Sequence, residues 1–257
     1  METNSIPSSI IQFSVANFGC FRDRVDFSMV GRQGSKNIFP LLQTGDQLFK
    51  TAIIYGPNAS GKSTLIDALN FMITKIRKST DPNHIEEMKF EPFLMEDGYD
   101  QKPSFFEIVF LINKKVYRYN FSLFNDHSIE EEKLYQVKKT SDFLIFRRKK
   151  TSISVKDSFS KDKAIPKRTN KAALFLSVAS QWNVAEASDI VVFFKGGIKA
   201  IQGFETSHGG FTIKQSQADE KYKKKVEKLL SEEDHIWKSG LSEDEAKRLR
   251  DMYKERY

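Results

Sequence analysis

The chain has 257 residues, 39% hydrophobic and 29% charged, enough for one large domain or two small ones with a real core. Seven Pro, 13 Gly and 12% aromatics exclude collagen-like, mucin-like and wholly disordered classes. The longest apolar runs, such as Ile190 to Phe194, are far shorter than the ~18 residues of a membrane helix. Met1 to Ser5 has neither the basic nor the apolar part of a secretory signal. The only cysteine, Cys20, leaves no intrachain disulfide and no multi-cysteine zinc site. Together these predict a soluble, cytoplasmic protein with no membrane partner.

Charge is unevenly placed. Lys plus Arg total 41 and Asp plus Glu 34, a net +7. The stretch Arg147 to Lys171 holds Arg147, Arg148, Lys149, Lys150, Lys156, Lys161, Lys163, Lys167, Arg168 and Lys171 against Asp157 and Asp162. A local excess of that kind speaks of a partner or an exposed loop rather than of solubility.

In chain order, residues 9–16 alternate as a strand, and the turn Asn17 to Asp23 leads to a second alternating run, Val25 to Met29, so the two form a hairpin. Residues 31–46, with Gly31, Gly34, Pro40 and Gly45, read as loop. Ala52-Ile53-Ile54-Tyr55 reads as a short apolar strand running into Gly56. From Ser63 the period becomes helical, with Leu65, Ala68, Leu69, Met72 and Ile76 on one face, and the helix fades at Lys78 to Pro82. Period two then returns: Ser104 to Ile112, Val116 to Phe124 and Phe143 to Phe146 are predicted strands, the first two joined at Asn113 to Lys115. The basic stretch reads as a loop or strand connection. Residues 171–182 and 185–202 read as helical, although Ile190 to Phe194 suits a strand equally. Lys221 to Leu230 is a charged helix, and Ser242 with Glu245 forms a capping box for another. This divides the chain into an N-terminal lobe, 1–146, a basic connection, 147–171, and a helical segment, 172–257.

One motif carries chemistry. Gly56-Pro57-Asn58-Ala59-Ser60-Gly61-Lys62-Ser63-Thr64 fits the phosphate-loop pattern G-x-x-x-x-G-K-[ST] throughout. A triphosphate needs many converging donors, and backbone N–H groups supply them if the chain coils tightly, which Gly56 and Gly61 permit. The following helix adds free N–H groups and a positive dipole end. Lys62, the candidate catalytic residue, reaches the β- and γ-phosphates as a point charge. Ser63 offers its hydroxyl to Mg2+, and Thr64 bonds the α-phosphate. An apolar strand before the loop and an amphipathic helix after it complete the expected setting. The implied cofactors are ATP and Mg2+.

The strand-rich 104–146, with a hairpin ahead of the loop, is unlike the βαβα continuation of P-loop kinases and small GTPases. The predicted fold class is α/β, a P-loop NTPase of ABC-ATPase type. It has an antiparallel β lobe beside the nucleotide-binding sheet and a helical segment after it. The opening Ile11 to Asp23 resembles that of RecF/SMC-like ATPases. Ile54 to Leu65 resembles the loop of prokaryotic ATPases of the overcoming-lysogenization-defect group and of AAA-family ATPases from abortive-infection and antiphage islands. Pro103 to Ile108, Tyr117 to Tyr119 and Ala173 to Ser177 are similar to that group as well. The resemblance spans roughly residues 9–230. It implies an ATP-operated dimer in which each phosphate loop faces the other subunit's signature motif, working with an effector such as a nuclease. It also places the Asn17 to Arg22 turn near the nucleotide and Pro92-Phe93 in the Q-loop region, although no Gln stands there. A plain hairpin-core role for Phe18 and Phe21 fits the residues equally.

Hydrolysis further requires a Walker B strand ending in Asp-Glu. Ile190 to Phe194 is the most suitable run but ends in Lys195-Gly196-Gly197, and Ile129-Glu130-Glu131-Glu132 has acids without an apolar run. Leu241 to Asp244 lacks a signature glycine, and His208 is no convincing switch histidine. The chain therefore reads as the N-terminal portion of a longer ATPase, or as one served by a partner chain, and is expected to bind ATP but turn it over poorly. The alternatives are a P-loop phosphotransferase and a non-catalytic ATP-binding scaffold. The basic stretch is a candidate contact for nucleic acid or an acidic partner, with Phe159 its one aromatic for stacking. His84, His127, His208 and His235 are scattered without metal-ligand spacing.

Overall fold

The computed structural model describes residues 8–31, 38–41, 44–81, 90–198, 217–220 and 222–224. The chain divides into two units, Met1–Ala200 and Ile201–Tyr257. In the second, residues 217, 218, 220 and 222–224 are helical. The rest of the helix expected from Lys221, the capping box at Ser242, Leu241 to Asp244, His208 and His235 lie outside the described residues, as does His84 of the first unit.

The strands of the first unit are β1 (Ser9–Ala16), β2 (Val25–Ser28), β3 (Ile38–Leu41), β4 (Asp46–Phe49), β5 (Ser104–Ile112), β6 (Lys115–Leu123), β7 (Ile129–Val137), β8 (Asp142–Lys149) and β9 (Ser152–Val155). The helices are α1 (Lys62–Lys78), α2 (Ala164–Lys167), α3 (Phe175–Gln181) and α4 (Ala185–Val192), the last running into a π turn over Phe193–Gly197. Seven strands form one sheet in the order β2-β1-β5-β6-β7-β8-β9, and each pairing is antiparallel. The hairpins expected at β1–β2 and β5–β6 are present. Asn113 and Lys114 turn the second with φ of 46° and 61°, the mirror-image turn that suits the right-handed twist of paired strands.

One face of the sheet carries the core. Phe13, Val15, Phe106, Ile108, Phe110, Tyr119, Phe121, Leu134 and Phe146 meet Leu65, Ala68, Met72 and Ile76 of α1 and the apolar faces of α3 and α4. On the other face β3 and β4 bring Leu41 and Leu48 against Ile11, Leu111 and Val116. A register shift between Ile10 and Gln12 turns Ile11 to that side. Residues 31–46, expected as loop, thus hold a strand and the start of another. Burial of Leu41 and Leu48 outweighs Pro40, which a two-stranded ribbon accommodates at an open edge.

One strand escaped the sequence reading, one expected strand is corrected, and one open alternative is decided. β7 was hidden in the sequence because Glu132 occupies an inward position and breaks the apolar alternation. The run Ala52 to Tyr55 pairs with no described strand, and Ile53, Ile54 and Tyr55 are 83%, 42% and 91% exposed. A strand is defined by the neighbour it hydrogen-bonds to, and the described sheet is an antiparallel meander that does not include this run. A nucleotide-binding sheet beside the antiparallel lobe is therefore not formed by the described residues. The run Ile190 to Phe194 is helical, not a strand: Ile190, Val191 and Phe194 bury on one side of α4 and the π turn.

Glu132 has no solvent exposure, yet each oxygen is bonded. Tyr119 and the Leu176 amide donate to Oε1 at 2.8 and 2.9 Å, and the Phe175 amide to Oε2 at 2.7 Å. Arg148 lies directly across from it on β8, 3.8 Å away, and donates to the carbonyls of Lys150, Asn170, Lys171 and Ala173. Burial pushes the Glu132 carboxyl up and the Arg148 guanidinium down, while each opposes the other's shift.

Lys75 of α1 is also fully buried, and its ammonium has no hydrogen-bond partner among the described residues. Burial foremost, then the Arg148 charge, pushes it down to about 8, with Glu132 opposing. Its folded value lies below the unfolded one, so the unfolded chain holds the proton more tightly and stability rises with pH between about 8 and 10.5. Lys75→Met is expected to be more stable at pH 7, by about 2–3 kcal/mol, and to lose that part of the pH dependence. Urea unfolding of both proteins from pH 7 to 10.5 checks this.

Candidate functional site

The loop Gly56–Thr64 leads into the N-terminus of α1. Gly61 caps the helix with φ 89°, a left-handed geometry that glycine adopts without strain, and Ala59 is left-handed as well at φ 63°. No side chain caps the first turn and no acidic residue lies in it, so its amides and positive dipole end stay available. Residues 51–60 are exposed. The Lys62 side chain curls back over the loop, where its ammonium donates to the carbonyls of Gly56 at 2.8 Å and Pro57 at 2.6 Å and approaches Ser60 Oγ at 3.4 Å. One cation is thereby fixed above a tight coil, closed by the Ser60 amide donating to Pro57 O at 3.4 Å, that opens onto the uncapped first turn of α1. That is the arrangement an extended polyanion requires.

The tip of the β1–β2 hairpin sits on this loop. Cys20 Sγ donates to Thr64 Oγ1 at 3.5 Å. A Cβ on Gly19 would fall 2.7 Å from Thr64 Cγ2, and one on Gly61 would fall 2.7 Å from the Phe21 ring and 3.1 Å from Cys20 Sγ. Both glycines are therefore required for close approach as well as for positive φ. The two phenylalanines divide their duties. Phe18 is core, with ring centroids 5.5 Å from Phe106 and 5.9 Å from Phe71, whereas Phe21 lies against Gly61. The Asn17 to Arg22 turn thus lies against the phosphate loop, and the hairpin-core reading holds for Phe18 and in part for Phe21, which also packs on the core.

Asn17 holds the tip in place. With φ 52°, it donates from Nδ2 to the carbonyls of Tyr99 and Lys102 at 3.0 and 2.9 Å and accepts from the Phe93 amide at 3.1 Å. Ser104 donates to its carbonyl oxygen. The Gly19 amide donates to Glu91 O at 2.8 Å, and Arg22 pairs with Glu96 at 3.3 Å. The segment around Pro92-Phe93 thus backs the hairpin tip. Sequence reasoning missed this anchoring role of Asn17; the polar Asn set between strand and Gly-containing turn was its only sign.

The basic stretch is dispersed over several elements. Arg147 pairs with Glu131, Arg148 with Glu132, Lys150 with Glu130, Lys163 with Asp157 and Lys171 with Asp126. Arg168 lies 4.0 Å over the Trp182 ring. Phe159 packs in the core beside Phe146 and Phe175. His127 packs its ring against Phe71 and Phe90, and burial, then the nearby Lys75 charge, pushes its imidazole down. Among the described residues no group of three His, Cys, Asp or Glu could hold a metal, and no helix is long and apolar enough to cross a membrane.

Replacing Asn17 by Ala leaves buried donors and acceptors unmatched and puts a residue less tolerant of the left-handed region at φ 52°, an expected loss of about 2–4 kcal/mol. Asn17→Gly keeps the backbone geometry and is expected to lose about 1–3 kcal/mol through the hydrogen bonds alone. Urea unfolding of the two variants separates the contributions.

No curated protein matches the sequence. Residues 52–251, which include the whole phosphate loop, α1, β5 to β9 and the helices packed on them, match the family described as "AAA domain, putative AbiEii toxin, Type IV TA system". With most of its length matched, and with a lysine-crowned loop at the start of α1, the chain belongs to this AAA-domain family of P-loop NTPases.

Proposed function

We propose that this chain binds MgATP at Gly56–Thr64 and is the ATP-operated component of a bacterial antiphage defence system, a dimeric switch that senses a trigger and controls an effector such as a nuclease. The observation that carries the reading is the Lys62 ammonium, tethered by the Gly56 and Pro57 carbonyls beside an uncapped helix N-terminus. Membership of an AAA family whose description names the AbiEii toxin supports the defence context. Backbone amides of Asn58–Gly61 and the first turn of α1 wrap the phosphates, Lys62 neutralises the β- and γ-oxygens, and Thr64 serves the α-phosphate. Ser63, exposed at the start of α1, holds Mg2+, which supplies charge neutralisation across the phosphates. The open, glycine-lined loop, which a Cβ at Gly61 would obstruct, fits such a ligand.

A second reading, a binding scaffold without turnover of its own, is favoured by the helical state of Ile190 to Phe194, the run best suited to present a carboxylate to the metal. In that reading ATP serves assembly only, and the 257-residue chain binds ATP and oligomerises with background hydrolysis.

Binding of a fluorescent ATP analogue tests the site. Lys62→Ala is expected to weaken it about a hundredfold, the worth of a lost charge-assisted contact, and Ser63→Ala to remove its dependence on Mg2+. Unchanged affinity in Lys62→Ala overturns the assignment. Turnover well above that variant's background would place the acid and base within this chain and remove the scaffold reading.

A further inference from the structure

β9 is the last strand of the sheet, and no described strand pairs with its outer edge. The Lys156 amide donates to Ile145 O at 3.0 Å. In the antiparallel register that pairs Val155 with Phe146 and Ile153 with Arg148, Ser152 and Ser154 then point their backbone groups at β8, and Ile153 and Val155 point theirs outward. No hydrogen bond from a described residue reaches them. A groove of about 480 Å³ separates this edge from α2, with Ile153, Val155 and Pro166 as apolar floor and Lys163 and Lys167 on the wall.

The charge around the groove has one sign to spare. Lys149, Lys156, Lys161 and Lys167 make no ion pair among the described residues. Lys163 pairs with Asp157, but both side chains are largely exposed, so that pair is weak and easily exchanged. Strand alternation puts Lys149 and Lys156 on the Ser152/Ser154 face, opposite the groove, so basic side chains stand on both sides of the open edge. Lysines alone blunt an edge strand. A roomy apolar-floored groove alongside serves no such purpose.

We propose that β9 is a docking edge for an extended polypeptide segment of a partner protein, one that alternates aliphatic and acidic residues. Four to six of its residues add as an eighth strand, their amides and carbonyls satisfying those of Ile153 and Val155. Aliphatic side chains enter the groove beside Ile153 and Val155, and the alternating carboxylates, which period two gathers on the opposite face, meet Lys156 and Lys149. Backbone pairing supplies affinity, and the lysines select an acidic segment over other extended chains. Nucleic acid fits this edge less well. Its phosphates make no use of a strand's outward N–H and C=O pairs in alternation, and no exposed aromatic lines the groove for base stacking.

The probe is a capped six-residue peptide alternating Glu and Val, fluorescently labelled and titrated with the 257-residue chain. Saturable binding in the range of about 10–100 μM is expected, as for a short augmenting strand. Methylating alternate amides of the peptide should abolish it, because only the backbone is altered. Lys149→Glu combined with Lys156→Glu, both exposed side chains on the carboxylate face, should weaken it at least about tenfold while binding of the ATP analogue stays unchanged. The proposal is overturned if no binding is seen at 1 mM peptide (roughly the weak limit for such contacts), if N-methylation or charge reversal leaves affinity intact, or if a single-stranded oligonucleotide needs the same lysines and displaces the peptide.

Discussion

A carboxylate and a guanidinium, both out of contact with water, hold the rest of this unit together. Taking Glu132 and Arg148 into the interior costs several kcal/mol each, and their mutual attraction alone does not return it. Surrounding donors and acceptors do the remainder. The first amides of α3 and the Tyr119 hydroxyl close on Glu132, and the carbonyls of Lys150, Asn170, Lys171 and Ala173 close on Arg148. The pair therefore fixes where the chain leaves the sheet, how α3 begins, and which sheet face the helices cover. Replacing one partner would strand the other, so these strands and this helix form as one unit.

The same network reaches the phosphate loop through α1. Its far end buries Lys75 near the pair, and Ser177 and Ser79 lock it to α3 through bonds of 2.7 Å to Ile76 O and 2.6 Å from the Leu174 amide. Its near end is covered by the hairpin tip, which Asn17 anchors. A helix clamped at both ends presents its N-terminal amides in a fixed direction. Such preorganisation lets a phosphate site bind without first ordering its own loop.

The basic segment shows why a count of charges is a poor guide to surface potential. Its ten cations divide among a buried structural role for Arg148, ion pairs for Arg147, Lys150, Lys163 and Lys171, an aromatic stack for Arg168, and four lysines, Lys149, Lys156, Lys161 and Lys167, that make no ion pair among the described residues. Those four have the most charge to offer a partner. What the sequence presents as one positive run is, after folding, a small basic margin on an open strand.

Local signals determined a good share of this protein. The phosphate loop, α1 and the strands β1, β2, β5, β6 and β8 were legible because motif, period and turn chemistry act within a few residues. β7 was not, since an inward Glu is tolerable only when Arg148, sixteen residues on, and α3, more than forty on, converge upon it. β3 and β4 likewise depend on distant apolar partners, Ile11, Leu111 and Val116. The apolar run before the loop reads as a buried strand, yet strand character comes from neighbours, and the described residues supply none to Ile53 and Tyr55. At the site, sequence alone named Gly56 to Thr64. Resemblance puts the Asn17 to Arg22 turn near the nucleotide, but tertiary structure decided that Phe21, Cys20 and Gly19 are the residues that lean on that loop and that Asn17 holds them there, because contacts across more than forty residues leave no trace in local pattern.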